Sequence, residues 1–289
     1  MSNRIMASRA ALCALLSLLL AGCGSSSGSG MVNQGSWYVT GFRWPHDGNP
    51  YESDNLIVYS DAASDQAKQT LAELAEDSLA MLHAELGSSN AVLVFPPHQD
   101  KIHIYAYRDH FPTEWGGWAY YGGLLIYSLD HPIRDTALHV YLPVLRHELM
   151  HVVESLLKAG NDPRTVDIWL TEGVAELVAG GTAGGAILDA ARFNDLIARF
   201  GLLNPIAMHQ YNYPDVDGII FDYYYPMFQL AVTYLVDTNG HGNTMQDLRD
   251  LFLDVRSGVV FAVAFEDRLG IALQDYEDTF FQRMGGYLH

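Results

Sequence analysis

Two histidines stand four residues apart in the segment His147-Glu148-Leu149-Met150-His151. On a helix this spacing puts both imidazoles on one face. Two ring nitrogens placed in this way can hold Zn2+, and Glu148 between them is within reach of a water on the metal. A third protein ligand is needed, and the next acidic residue in a helical setting is Glu172, in Trp169-Leu170-Thr171-Glu172-Gly173-Val174-Ala175-Glu176. Twenty residues, 152–171, separate it from His151. That is room for one helix to end, a loop to turn, and a second helix to bring its first turn back to the metal. Three side-chain ligands leave the fourth position of a zinc ion open, as in catalytic rather than structural sites, so one Zn2+ per chain is the expected cofactor. The competing reading is an amphipathic core helix carrying two satisfied histidines.

Residues 147–176 resemble the gluzincin metallopeptidases, in which an HExxH helix is followed some twenty residues later by a glutamate in a W-L-x-E-G segment. The resemblance implies that His147, His151 and Glu172 are the metal ligands and that Glu148 is the general base. It also implies that Glu176, one turn after Glu172, is the acid that orients a ligand histidine. In that family a tyrosine or histidine from the C-terminal subdomain stabilises the oxyanion. Tyr225, nine residues before Tyr234-Leu235, matches that position, with Tyr224 and Tyr223 as runners-up and His209 and His241 as weaker candidates. Packing at a domain seam accounts for a three-tyrosine run equally well. The family also uses a sheet edge just before the metal-binding helix to pair with substrate backbone, which would fall within 118–127. No Gly-x-Met-Glu-Asn segment, the signature that grips a free substrate amine in aminopeptidase N-like members, precedes His147. This points to endopeptidase action.

The N-terminus carries a different signal. Arg4 and Arg9 precede an apolar run, Ala10 to Leu20, too short to span a bilayer comfortably. It ends in Leu20-Ala21-Gly22-Cys23, which resembles a bacterial lipobox, so residues 1–22 read as a lipoprotein signal peptide and Cys23 as the lipidated residue. An ordinary signal peptide that happens to contain a cysteine is the alternative. Residues 23–35, rich in Gly and Ser, then form a flexible tether. The only other cysteine, Cys13, would leave with the signal, so no disulfide is available to the mature chain. About 250 residues remain, enough for a sizeable core without staples.

Removing Arg4 and Arg9 takes the formal charge from −18 to −20. With 16 basic residues in total and no basic cluster, nucleic-acid binding is disfavoured. An acidic surface also repels anionic lipid, so membrane association would rest on the anchor at Cys23. Gly24 rather than Asp after that cysteine points to the outer membrane, facing the periplasm or the exterior.

The elements that must position the motif follow from periodicity. Trp37–Thr40 and Leu56–Tyr59 read as strands, and Ser64–Leu86 as a long helix with Ser60 or Asp61 as cap and Gly87 as stop. His83 on that helix has no partner in sequence and reads as structural. Lys101–Tyr107 alternates as a strand, and 116–127 reads as a hairpin. Pro143 means that the HExxH helix either starts near that residue or kinks there. His131 and His139, upstream, have no ligand spacing to the histidine pair. Ile168–Ala179 is the second metal helix, ended by Gly180-Gly181, and a further helix is expected over roughly 186–200. Gln229–Val236, 244–256 and 275–284 complete a helical C-terminal half. The expected fold is α+β and zincin-like. A mixed sheet with helices occupies 36–158, a mainly helical subdomain occupies 159–289, and the active site lies between them. The expected activity is a zinc-dependent peptidase of the bacterial cell envelope acting on peptide or protein substrates. The alternatives are an exopeptidase of narrow specificity and a lipoprotein that keeps a zincin fold for binding alone.

Overall fold

The computed structural model describes residues 49–60, 64–108, 116–128, 142–160, 165–180, 188–201, 203–207 and 220–289. The Trp37–Thr40 strand, the signal peptide, Cys23 and the tether, His131, His139 and His209 lie outside the described residues. Among those described, the fold is α+β, with a five-stranded mixed sheet and eight α-helices. None of these helices is long and apolar enough to cross a membrane. The chain divides into two compact units, one within residues 26–163 and the other from residue 164 onward.

The first unit holds the sheet, formed by β1 (Tyr51–Glu52), β2 (Leu56–Ser60), β3 (Ile102–Arg108), β4 (Gly116–Tyr120) and β5 (Gly123–Ser128) in the order β1-β2-β3-β5-β4. β2, β3 and β5 run parallel, whereas β1 and β4 run antiparallel to their neighbours. A parallel β2–β3 pair needs a long crossover, and α1 (Asp65–Leu86) supplies it. Its N-cap is Ser64, whose side chain accepts from the Ala67 amide, rather than the expected Ser60 or Asp61. Gly87 ends it in the left-handed conformation, as its position in the sequence requires. Leu71, Ala75, Leu79, Leu82 and Leu86 are buried as the periodicity predicts. α1 packs on β1 and β2, and the sheet side chains Leu56, Val58, Ile102, Ile104, Leu124 and Ile126 are every one at most 1 % exposed. His83 is structural, its ring nitrogens bonded to Ser88 Oγ at 2.9 Å and Asn90 Oδ1 at 2.7 Å.

The hairpin 116–127 forms, with Gly122 at φ +88° in its turn. Among the described residues β4 lies at one edge of the sheet, so 118–120 of the segment read as a substrate-pairing edge is at an edge, whereas β5 is interior and paired on both sides. α2 (Leu142–Leu157) packs on β4 and β5. Its described residues run from Leu142, so Pro143 is helical and stands second among them. Residues 145, 149, 152 and 156 form a buried stripe along it, the 3.6-residue period of a helix that faces a core.

The second unit is helical. α3 (Ile168–Ala179) ends at Gly180 in the left-handed conformation. α4 (Ala190–Phe200) starts later than residue 186 because Asp189 caps it, accepting from the Arg192 amide. A π-helical turn, Ile220–Tyr224, runs into α5 (Tyr225–Val236), so this helix begins upstream of the expected Gln229, with Pro226 in its first turn. α6 (Met245–Arg256) opens on a capping box of Thr244 and Asp247. α7 (Phe261–Leu269) and α8 (Leu273–Leu288) close the unit. α8 extends beyond both ends of the expected 275–284.

α3 and α5 make the closest helix pair of this unit, and Gly173 makes it possible. A Cβ there would lie 2.5 Å from the Phe228 carbonyl oxygen and 2.6 Å from Val232 Cγ2. Behind this contact, Trp169 is wedged between Phe265 and Tyr276 at ring distances of 5.9 and 5.7 Å, and the Tyr276 hydroxyl donates to the Ala231 carbonyl at 2.8 Å. Because backbone cannot move aside as a side chain can, Gly173→Ala is expected to force α3 and α5 apart. The cost is about 1–3 kcal/mol, typical of an overpacked core. A thermal melt that shows no drop would disprove it.

Candidate metal centre

Helical geometry alone brings the two histidines together. On α2 the His147 and His151 rings lie 4.8 Å apart at 80°, with Nε2 facing Nε2 at 3.1 Å. Two nitrogens on one tetrahedral ion, each about 2.0–2.1 Å from it, would stand roughly 3.3 Å apart, so the pair is already close to chelating distance. One ligand atom from each of His147, His151 and Glu172 lies within 4.8 Å of the other two. Among the described residues this is the one group of three or more such side chains able to hold a metal ion. Two imidazole nitrogens and a carboxylate suit zinc, which accepts both donor types and has no geometric demand of its own. His147 is 2 % exposed and Glu172 fully buried, while His151 is half-buried.

Glu148 lies between the histidines in sequence, is 1 % exposed, and rests against the edge strand. A Cβ on Gly117 of β4 would come within 2.3 Å of Glu148 Cγ and 2.8 Å of its carboxyl carbon. The glycine therefore forms the cradle in which this side chain lies. Sequence reading offered no reason for a glycine there, because the contact depends on which strand lies beside α2.

Glu176 is buried one turn after Glu172 on α3, and its carbonyl accepts from Gln229 Nε2 at 3.4 Å. The three tyrosines are all buried. Tyr225 opens α5, with its ring 6.3 Å from Phe228. The hydroxyl of Tyr223 donates to the Leu203 carbonyl at 2.5 Å, which occupies it, and burial raises its pKa. His241 is likewise engaged in packing the helical unit, its Nε2 bonded to the Leu269 carbonyl at 2.7 Å.

One charged group near the histidines was not anticipated. Glu154, 3 % exposed, places Oε2 3.8 Å from His151 Nδ1, and its Oε1 accepts from Lys158 Nζ at 2.5 Å. The signal was present as residues 151, 154 and 158 on one helical face. It reads equally well as a solvated i, i+4 pair. Compared with known proteins, the chain matches no family model and no curated sequence.

Proposed function

We propose that the chain is a zinc-dependent peptidase that cuts within peptide chains, held at the bacterial cell envelope by a lipid on Cys23. The observation that carries this reading is the gathering of one ligand atom each from His147, His151 and Glu172 within 4.8 Å. These three residues would hold one Zn2+ ion. Bound there, zinc supplies Lewis acidity, lowering the pKa of water towards about 7 and polarising a carbonyl.

The remaining steps belong to the protein's own side chains. Glu148 takes a proton from the attacking water and returns it to the leaving amine, a role for which a carboxylate is suited in both directions. β4 has a strand partner on one side only among the described residues, and a substrate in extended form pairs along it as a further strand. That pairing needs no free terminus, in keeping with endopeptidase action. Tyr225 donates to the developing oxyanion, and Glu176 steadies a ligand histidine.

The test uses the full chain purified in detergent. Metal analysis should find about one zinc per chain. Digestion of a peptide library should give internal cuts that a chelator abolishes and added zinc restores. A chain without zinc and without chelator-sensitive cleavage would support the binding-lipoprotein alternative instead.

The Gly117 cradle gives a finer prediction. The atom that a Cβ would meet first is Cγ of the buried Glu148 side chain and not backbone, so Gly117→Ala should still fold, with stability lowered by about 1–3 kcal/mol. The displaced Glu148 carboxylate should nonetheless lower kcat by about 10- to 100-fold, the penalty for misplacing a reacting group by roughly 1 Å. Unchanged kcat in a folded Gly117→Ala chain would remove β4 from the account of catalysis.

A further inference from the structure

The Nε2 of His151 faces His147, and an imidazole carries its other nitrogen on a different edge of the ring. On that edge stands Glu154, with Oε2 3.8 Å from Nδ1. Its second oxygen is taken by Lys158 Nζ at 2.5 Å. Both members of the pair are buried, at 3 % and 4 % exposure.

Stability is a poor explanation for this pair. Withdrawing two charges from water costs several kcal/mol per ion before their attraction is counted, and apolar side chains of similar volume are often as stable or more so. The demand of the neighbouring histidine explains it better. An imidazole that binds metal through Nε2 carries its proton on Nδ1, and that N–H needs an acceptor to hold the ring's tautomer and direction.

We infer that Glu154 is a positioning residue for His151, its carboxylate facing Nδ1 and fixing the ring for metal binding through Nε2, with Lys158 anchoring that carboxylate in place. The inference rests on the metal reading above. At 3.8 Å the contact is of ion-pair length and longer than a hydrogen bond, so the carboxylate acts on the ring edge through its charge.

The pair can be removed together without leaving an unpaired charge. In the full chain, Glu154→Leu/Lys158→Met should melt at or above the wild-type temperature. Its zinc affinity, read by competition with a chromogenic chelator, should fall by about 10- to 100-fold. Glu154→Gln/Lys158→Met keeps the size and shape of the glutamate but not its charge and should show the same loss, whereas a purely structural pair would leave the zinc affinity of this variant at the wild-type value. Equal zinc affinity in the Leu/Met variant and the wild type overturns the assignment and leaves the zinc site standing. A wild type that binds no zinc overturns both. Should the Leu/Met variant not fold, 15N spectra of the zinc-loaded histidines decide. The His151 Nδ1–H resonance is expected to move in the Gln/Met variant, and an unmoved resonance overturns the assignment.

Discussion

Glu148→Gln is expected to bind zinc as the wild type does and to cleave its substrates about 10²- to 10⁴-fold more slowly, the range that a positioned general base contributes. The replacement keeps the size and shape of a side chain that is 1 % exposed and pressed against Gly117, so neither the cradle nor the helix is disturbed. What it removes is the capacity to accept a proton. The loss corresponds to about 3–5 kcal/mol of transition-state stabilisation and should appear in kcat. KM should change little, because nothing that holds the ground-state substrate has been altered. Steady-state kinetics and metal analysis on the same preparation check both halves. Full cleavage by the glutamine variant would remove Glu148 from the mechanism even if the zinc were present.

Glu172→Ala should separate metal binding from folding. Alanine suits the interior of α3, and its small side chain leaves the Gly173 contact with α5 undisturbed. The metal-free variant should therefore melt close to the wild type, since the fully buried side chain it loses is a carboxylate that is costly to desolvate. The response to zinc should differ. A ligand present at about 1,000 times its Kd stabilises a fold by about 4 kcal/mol. For a domain of 150–250 residues, that raises the melting temperature by about 8–16 °C. In Glu172→Ala the rise should shrink towards zero at the same zinc concentration, with affinity lowered beyond the 10- to 100-fold that loss of a partner behind a ligand costs. A variant that shows the full zinc-induced rise would mean that the metal is held without Glu172.

Much of the local structure could be read directly. The stop of α1 at Gly87 and the end of α3 at Gly180 depend on backbone conformations available within a few residues. The stripe along α1 followed from the 3.6-residue period, and only Leu74 of the expected set is left half-buried. The early start of α5 was missed because its π-helical lead-in, Ile220–Tyr224, has no periodicity of its own and Pro226 reads as a break. Which strand of the 116–127 hairpin lies at the edge could not be read for a different reason. Hairpin chemistry determines that β4 and β5 pair, whereas which of them also pairs with β3 depends on parallel pairing over a longer stretch of chain.

The sequence by itself determined the chemistry on offer: two imidazoles on one helical face, because a four-residue interval leaves a helix no other choice, with a carboxylate next to His147 in the chain. It also accounted for the glycine after Glu172 as part of a motif, but not for why only glycine fits. Tertiary structure alone decided that Glu172 joins the imidazoles, that Gly117 gives Glu148 its cradle, and that Glu154 and Lys158 are buried rather than solvated. Each of these is a contact between groups that twenty or more residues separate, or depends on what covers a face. Spacing permits such contacts, but only the packed chain, by excluding water and bringing backbones within van der Waals reach, selects them.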